Sequence, residues 1–128
     1  MADESKLKSK FLEIAKKGSL HDAVLLRHED VRTAGIPDLS VTMYGRTSWW
    51  EFKHGTPDFP SSGIQELTCL RLAAAGICRY VIYLEENDNK STLIIHPRYI
   101  KELTPEFILP GFNHEGVASI IKWYHGRL

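Results

Sequence analysis

The amino-acid sequence predicts one α/β domain over residues 1–128, with a mixed β-sheet flanked by helices in the order α-β-β-β-α-β-β-α. Two observations predict this class. Segments with apolar residues at helical spacing alternate with short runs rich in β-branched and aromatic residues, and turn-forming residues separate them. The composition, 43% apolar and 25% charged, is that of an ordinary globular domain. Such an alternating series favours helices packed on a sheet.

The first helix is predicted over residues 4–17, with Asp3 as a possible N-cap and Gly18 as its end. A short apolar run over residues 22–27 is then compatible with a strand. At about 100° per residue, the apolar side chains of the helix share one arc, which predicts its packed face. They are Leu7, Phe11, Leu12, Ile14 and Ala15.

Residues 39–44 and 48–53 predict a β-hairpin, because two runs rich in β-branched and aromatic residues flank the turn Gly45-Arg46-Thr47. The series continues with a helix over 63–75 that ends at Gly76, and strands over 79–84 and 91–96.

Beyond Pro97 the pattern predicts short helices. One starts at Thr104-Pro105, and Asn113 is a possible cap for a last helix that runs through Trp123 and Tyr124.

The charge balance, the apolar runs and the cysteine spacing argue against several classes of protein. The 16 basic and 16 acidic residues balance, so no basic excess marks a general DNA-binding surface. There is neither an apolar run of about 18 residues nor a signal-peptide region, so we expect a soluble, cytoplasmic protein with no membrane partner and no organic cofactor. Cys69 and Cys78 lack a metal-ligand spacing, and we expect reduced core cysteines.

The predicted hairpin carries the candidate metal-binding and catalytic residues. Asp38 opens its first strand, and Glu51 and Lys53 lie in its second. Because side chains alternate along a strand, Glu51 and Lys53 share one face while Trp50 and Phe52 face the core. Two carboxylates suit Mg²⁺, which keeps several waters, and a nearby lysine can hold a water or a phosphate oxygen.

Pro37-Asp38 followed by Glu51-x-Lys53 resembles the PD-(D/E)XK nuclease signature. The flanking residues 35–39 and 50–53, followed by Ser62-x-x-Gln65 at the start of a helix, resemble the VRR-NUC branch of that superfamily.

The resemblance implies a restriction-endonuclease-like core that hydrolyses phosphodiester bonds with Mg²⁺, or with Mn²⁺ in its place. Asp38, Glu51 and the Phe52 carbonyl would be the metal ligands. Lys53 and Gln65 would complete the catalytic set, with Lys53 as a positioner and charge stabiliser rather than a base. Side chains expected to contact nucleic acid are Lys8, Arg46 and His54.

Members of that branch often carry a glutamate on a preceding helix, here Glu4 or Glu13. Helix phase favours Glu4, which falls at the centre of the apolar arc, whereas Glu13 falls about 180° away. Glu4 is therefore the candidate for a third, water-mediated metal contact. The competing explanation is a frayed first turn with an acid favoured by the helix dipole.

Ordinary structural explanations compete at the other positions. Asp38 follows a proline and could be a turn residue. Glu51 and Lys53 could belong to a solvated strand face, and Gln65 could form a capping box with Ser62.

The function predicted is a metal-dependent DNA endonuclease acting on structured or branched DNA in repair or recombination, compatible with a phage source. A homodimer is expected, because a small neutral domain gains DNA-binding surface by association. The alternatives are a dimeric Holliday-junction resolvase and a non-catalytic DNA-binding module.

Overall fold

A computed structural model describes residues 4–28, 36–55, 64–85, 91–98 and 104–127, without the side chains of residues 64–66 and 74–75. The elements are α1 (Glu4–Lys17), β1 (Val24–Arg27), β2 (Leu39–Met43), β3 (Arg46–Gly55), α2 (Ile64–Ala75), β4 (Ile77–Glu85), β5 (Ser91–His96), β6 (Phe107–Pro110) and α3 (His114–His125). No helix in these described segments has the length and apolarity needed to cross a membrane.

The strands form one six-stranded mixed sheet in the order β1-β2-β3-β4-β5-β6. Only β3 and β4 are parallel, and α2 lies in the connection between them, as a parallel pair requires. The other neighbours are antiparallel. The predicted class, a mixed sheet flanked by helices, is confirmed.

The main core lies where α1 and α3 pack on one face of the sheet. Trp50 and Phe52 of β3 are fully buried there, as strand alternation predicts. A second, smaller core lies on the other face, where Cys69 of α2 packs near Tyr80 and Ile82 of β4. Strand β3 therefore has apolar residues packed against both of its faces.

Three helix predictions in the described residues are confirmed, among them α2, which ends at Ala75 just before Gly76. Helix α1 has the predicted bounds. Asn113 caps α3, because its side-chain Oδ1 accepts a 2.9 Å hydrogen bond from the Gly116 amide. The predicted caps Asp3 and Ser62 lie outside the described residues.

The helix predicted to start at Thr104-Pro105 is wrong, because the chain forms the edge strand β6 there. Phe107 and Leu109 pack on the main core, while Ile108 between them is 65% exposed. Pairing with β5 thus overrides the local helix-start signal, and the element order gains a third strand before the last helix.

The hairpin turn lies one residue earlier, and is one residue shorter, than predicted. It consists of Tyr44 and Gly45, which have φ of 55° and 73°, rather than Gly45-Arg46-Thr47. Positive φ at both residues matches the right-handed twist of the strands in a two-residue turn. Strand β3 consequently begins at Arg46.

The expectation of reduced cysteines is also wrong. Cys69 and Cys78 form a disulfide, with their Cα atoms 5.4 Å apart. Helix α2 packs back against the start of β4, which brings together two residues whose sequence spacing does not report their distance. The disulfide fastens α2 to the sheet within the second core.

Candidate active site

Asp38 and Glu51 meet at one end of the hairpin. Leu39 pairs with Trp50 in the register of β2 and β3, so Asp38 and Glu51 come next along the two strands. The Phe52 amide donates a 2.8 Å hydrogen bond to Asp38 Oδ2, which fixes the carboxylate against β3. Lys8 Nζ lies 3.1 Å from the other oxygen, Oδ1.

The Glu51 side chain is buried, with 1% of the residue exposed. Burial, then the hydrogen bond and negative charge of Asp38, raise the pKa of Glu51 to about 10. Burial also opposes ionisation of Asp38, but hydrogen bonds from Glu51 and the Phe52 amide and the charge of Lys8 outweigh it and lower the pKa of Asp38. At neutral pH the pair therefore holds a proton on Glu51. The alternative explanation, that Glu51 belongs to a solvated strand face, is therefore wrong.

Glu4 reaches the same place from the first turn of α1. Burial raises the pKa of Glu4, and the negative charge of Asp38 raises it further. The charges of Lys53 and Lys8 and a hydrogen bond from the His54 amide lower it, but they do not outweigh burial. Glu13 instead pairs with Lys17 on the exposed side of α1, at 3.7 Å. The structure thus brings Glu4, and not Glu13, to the carboxylate pair.

Two lysines complete the cluster. Lys53 interacts electrostatically with Glu4 and Glu51. Lys8 binds Asp38 directly, although the sequence assigned Lys8 only to nucleic-acid contact. A signal for its position was present, since Lys8 follows Glu4 by four residues and so lies on the same side of the helix.

Three predicted site residues are placed elsewhere or are not described. Arg46 is exposed at the turn end of the hairpin, five residues and roughly 17 Å along the strand from Glu51. The His54 ring lies 3.3 Å from Glu85, and strand alternation places it on the face opposite Glu51. The Gln65 side chain lies outside the described residues.

Sequence reasoning missed a contact between two rings, those of His28 and Trp49, near Asp38 and Glu51. The His28 ring lies 5.2 Å from the Trp49 ring, and its Nε2 is 2.8 Å from Ser40 Oγ. The His28 amide also donates a 2.8 Å hydrogen bond to the Asp38 carbonyl. Trp49 has the same strand parity as Glu51, so this contact lies on the same face as the carboxylates.

The donor set fits a hard divalent cation. In the described part of the chain, no three His, Cys, Asp or Glu side chains group closely enough to hold a metal by themselves. Two adjacent carboxylates with open coordination positions are nevertheless the protein contribution that Mg²⁺ or Mn²⁺ commonly takes. Glu51 Oε2 is buried and has no hydrogen-bond partner among the described residues, and coordination to a cation would satisfy this oxygen instead.

Two comparisons with known proteins found no match. No family model matches the chain, and no curated protein matches it either. Any functional assignment therefore depends on the arrangement of Glu4, Asp38, Glu51 and the two lysines.

Proposed function

We propose that the protein is a Mg²⁺- or Mn²⁺-dependent nuclease that hydrolyses phosphodiester bonds in DNA. The observation that carries the proposal is the burial of Glu51 against Asp38, which keeps a proton on Glu51 when no cation is present. Burying two adjacent carboxyl groups is unfavourable unless a partner compensates for it. Perturbed acids of this kind cluster at functional sites.

Asp38 and Glu51 are the side chains that would hold the cation, with the Phe52 carbonyl as the ligand implied by the nuclease resemblance. Glu4 would act through a water, since it is held near the pair by Lys53 and the His54 amide. When bound, such a cation supplies electrophilic polarisation of the phosphodiester and activation of water. The ammonium of Lys53 would position the phosphate and stabilise its developing negative charge.

The proposed substrate class is structured or branched DNA. The net charge of zero means that a uniform basic surface does not supply affinity for long duplexes, so local contacts at the site must contribute more. Among the described residues, Lys8 binds Asp38 and the charge of Lys53 acts on Glu51.

A cleavage panel tests the proposal. Linear duplex, flap and four-way-junction DNA are incubated with the protein in Mg²⁺, in Mn²⁺ and in EDTA, beside Asp38→Asn. We expect cleavage that requires the cation, is abolished in Asp38→Asn, and is greater on branched DNA. Cleavage in EDTA, or equal cleavage by Asp38→Asn, would overturn the assignment. Binding of DNA without cleavage would instead favour the non-catalytic module, and symmetric incision of the four-way junction would favour the resolvase.

We further propose that the active unit is a homodimer, because one domain of 128 residues offers little surface for a DNA interface. Light scattering at micromolar protein measures the mass directly. A monomer that still cuts duplex DNA would remove the dimer and the resolvase alternative together.

A further inference from the structure

The two oxygens of Asp38 are held by different partners. Oδ2 accepts a hydrogen bond from the backbone amide of Phe52, which belongs to strand β3. Oδ1 is bound by Lys8 Nζ at 3.1 Å, and both side chains are only 15% exposed. The oxygen that the backbone leaves open is therefore covered by an ammonium group.

The ammonium of Lys8 is a replaceable partner for that oxygen. A lysine carries a compact charge on a flexible four-carbon stem, and it makes a single contact rather than a two-pronged one. Lys8 lines a small surface pocket together with Asp38, Arg27 and Leu12. Phe11, Leu39 and Phe52 also line this pocket, so apolar side chains surround it beside Asp38.

When Asp38 and Glu51 are both ionised, the cluster also needs more positive charge than its lysines supply. Glu4, Asp38 and Glu51 are three acids, whereas Lys8 and Lys53 are two cations that act on them. A divalent cation carries the charge needed by both carboxylates at once.

We propose that Lys8 is a built-in counter-ion that occupies Asp38 Oδ1 in the metal-free protein and competes with the divalent cation for it. This inference rests on the proposed function. Lys8 is a positioning residue, because it acts on the cation through Asp38. Once displaced, its ammonium can contact a phosphate of the substrate.

The test measures Mn²⁺ binding without any cleavage. Titration followed by the electron paramagnetic resonance of free Mn²⁺ gives dissociation constants for the wild type, Lys8→Gln and Lys8→Arg. Lys10→Gln is the matched control, since Lys10 is exposed on the same helix. We expect Lys8→Gln to bind Mn²⁺ about tenfold more tightly. Lys8→Arg should bind it more weakly than the wild type, because a guanidinium can hold a carboxylate through two hydrogen bonds.

Melting of the same proteins gives a second readout. Without metal, Lys8→Gln should melt below the wild type, because Asp38 loses its ion pair. Saturating Mn²⁺ should then raise its melting temperature more than it raises that of the wild type. A purely structural lysine would lower the melting temperature equally with and without Mn²⁺.

The outcomes separate this inference from the proposed function. Equal Mn²⁺ affinity in Lys8→Gln and Lys10→Gln, or weaker affinity in Lys8→Gln, would overturn the counter-ion role while leaving the metal site standing. Failure of every variant to bind Mn²⁺ would overturn both. Tighter binding in Lys8→Gln, together with no cleavage of any DNA, would support the counter-ion role and overturn only the nuclease.

Discussion

The backbone amide of Phe52 and the carboxylate of Asp38 are joined by a 2.8 Å hydrogen bond across 14 residues of sequence. This contact orients Asp38 towards β3 while the Phe52 side chain remains in the main core. The same strand then presents Glu51 on its other face. A single β-strand thus aligns both carboxyl groups, which gives the candidate site a rigid support.

Replacing either carboxylate should abolish cleavage. Asp38→Asn and Glu51→Gln each keep the size of the side chain but remove a charge that the cation requires, so we expect no detectable product in Mn²⁺. Asp22→Asn is the control, because Asp22 is exposed outside the cluster. Thermal melts establish that the variants are folded. Wild-type cleavage by both variants would show that the carboxylate pair is not the catalytic site.

The stability of the metal-free protein should fall as pH rises through the neutral range. The pKa of Glu51 is raised from 4.5 to about 10, so between these values the folded protein keeps a proton that the unfolded chain releases. Its stabilising contribution is present at acidic pH and is lost as pH rises, by up to about 1.4 kcal/mol per pH unit.

Urea unfolding in EDTA from pH 7 to 9 measures this slope, above the range in which the buried histidines with lowered pKa values change charge. Glu51→Gln carries no titrating proton and should flatten the slope, whereas Glu13→Gln should leave it unchanged. A slope that persists in Glu51→Gln would assign the effect to another group.

Part of the candidate site could be predicted from the local periodicity of the sequence. The alternation of Trp50, Glu51 and Phe52 along β3 follows from the period of two in a strand, and the position of Glu4 follows from helix phase. Both are properties of contiguous residues, which the sequence contains directly.

Long-range contacts were not accessible in the same way. The ion pair of Lys8 and Asp38 spans 30 residues, and the burial of Glu51 depends on how distant elements pack around β3. Strand β6 forms because β5 offers an open edge, although Pro105 signals a helix start. The Cys69–Cys78 disulfide likewise depends on how α2 returns to the sheet.

Removing the cap of α3 should destabilise the protein without changing the site. Asn113 Oδ1 satisfies the Gly116 amide, which would otherwise lack a partner in the first turn. Asn113→Ala should lower the free energy of unfolding by about 1 kcal/mol, as measured by urea denaturation. Ser119→Ala on the exposed side of the same helix is the control and should cause no comparable loss. An unchanged midpoint in Asn113→Ala would show that the cap contributes little.

The two glutamates of α1 should differ sharply in their effect on cleavage. Glu4 is half-buried beside Lys53 and accepts a hydrogen bond from the His54 amide, whereas Glu13 is 69% exposed and pairs only weakly with Lys17. Glu4→Gln keeps the shape of the side chain and its ability to accept that hydrogen bond, but it removes the charge that would orient a water at the metal.

We therefore expect Glu4→Gln to lower the rate of cleavage by at least about tenfold, with little change in melting temperature, because burial already opposes the charged form of this acid. Glu13→Gln should cleave at the wild-type rate. Both variants are assayed in one series at fixed Mn²⁺ and then over a range of Mn²⁺ concentrations. A loss in Glu4→Gln that high Mn²⁺ restores would assign the residue to metal binding, and a loss that persists would assign it to a step after binding. A larger loss in Glu13→Gln than in Glu4→Gln would show that α1 serves the site through its other face.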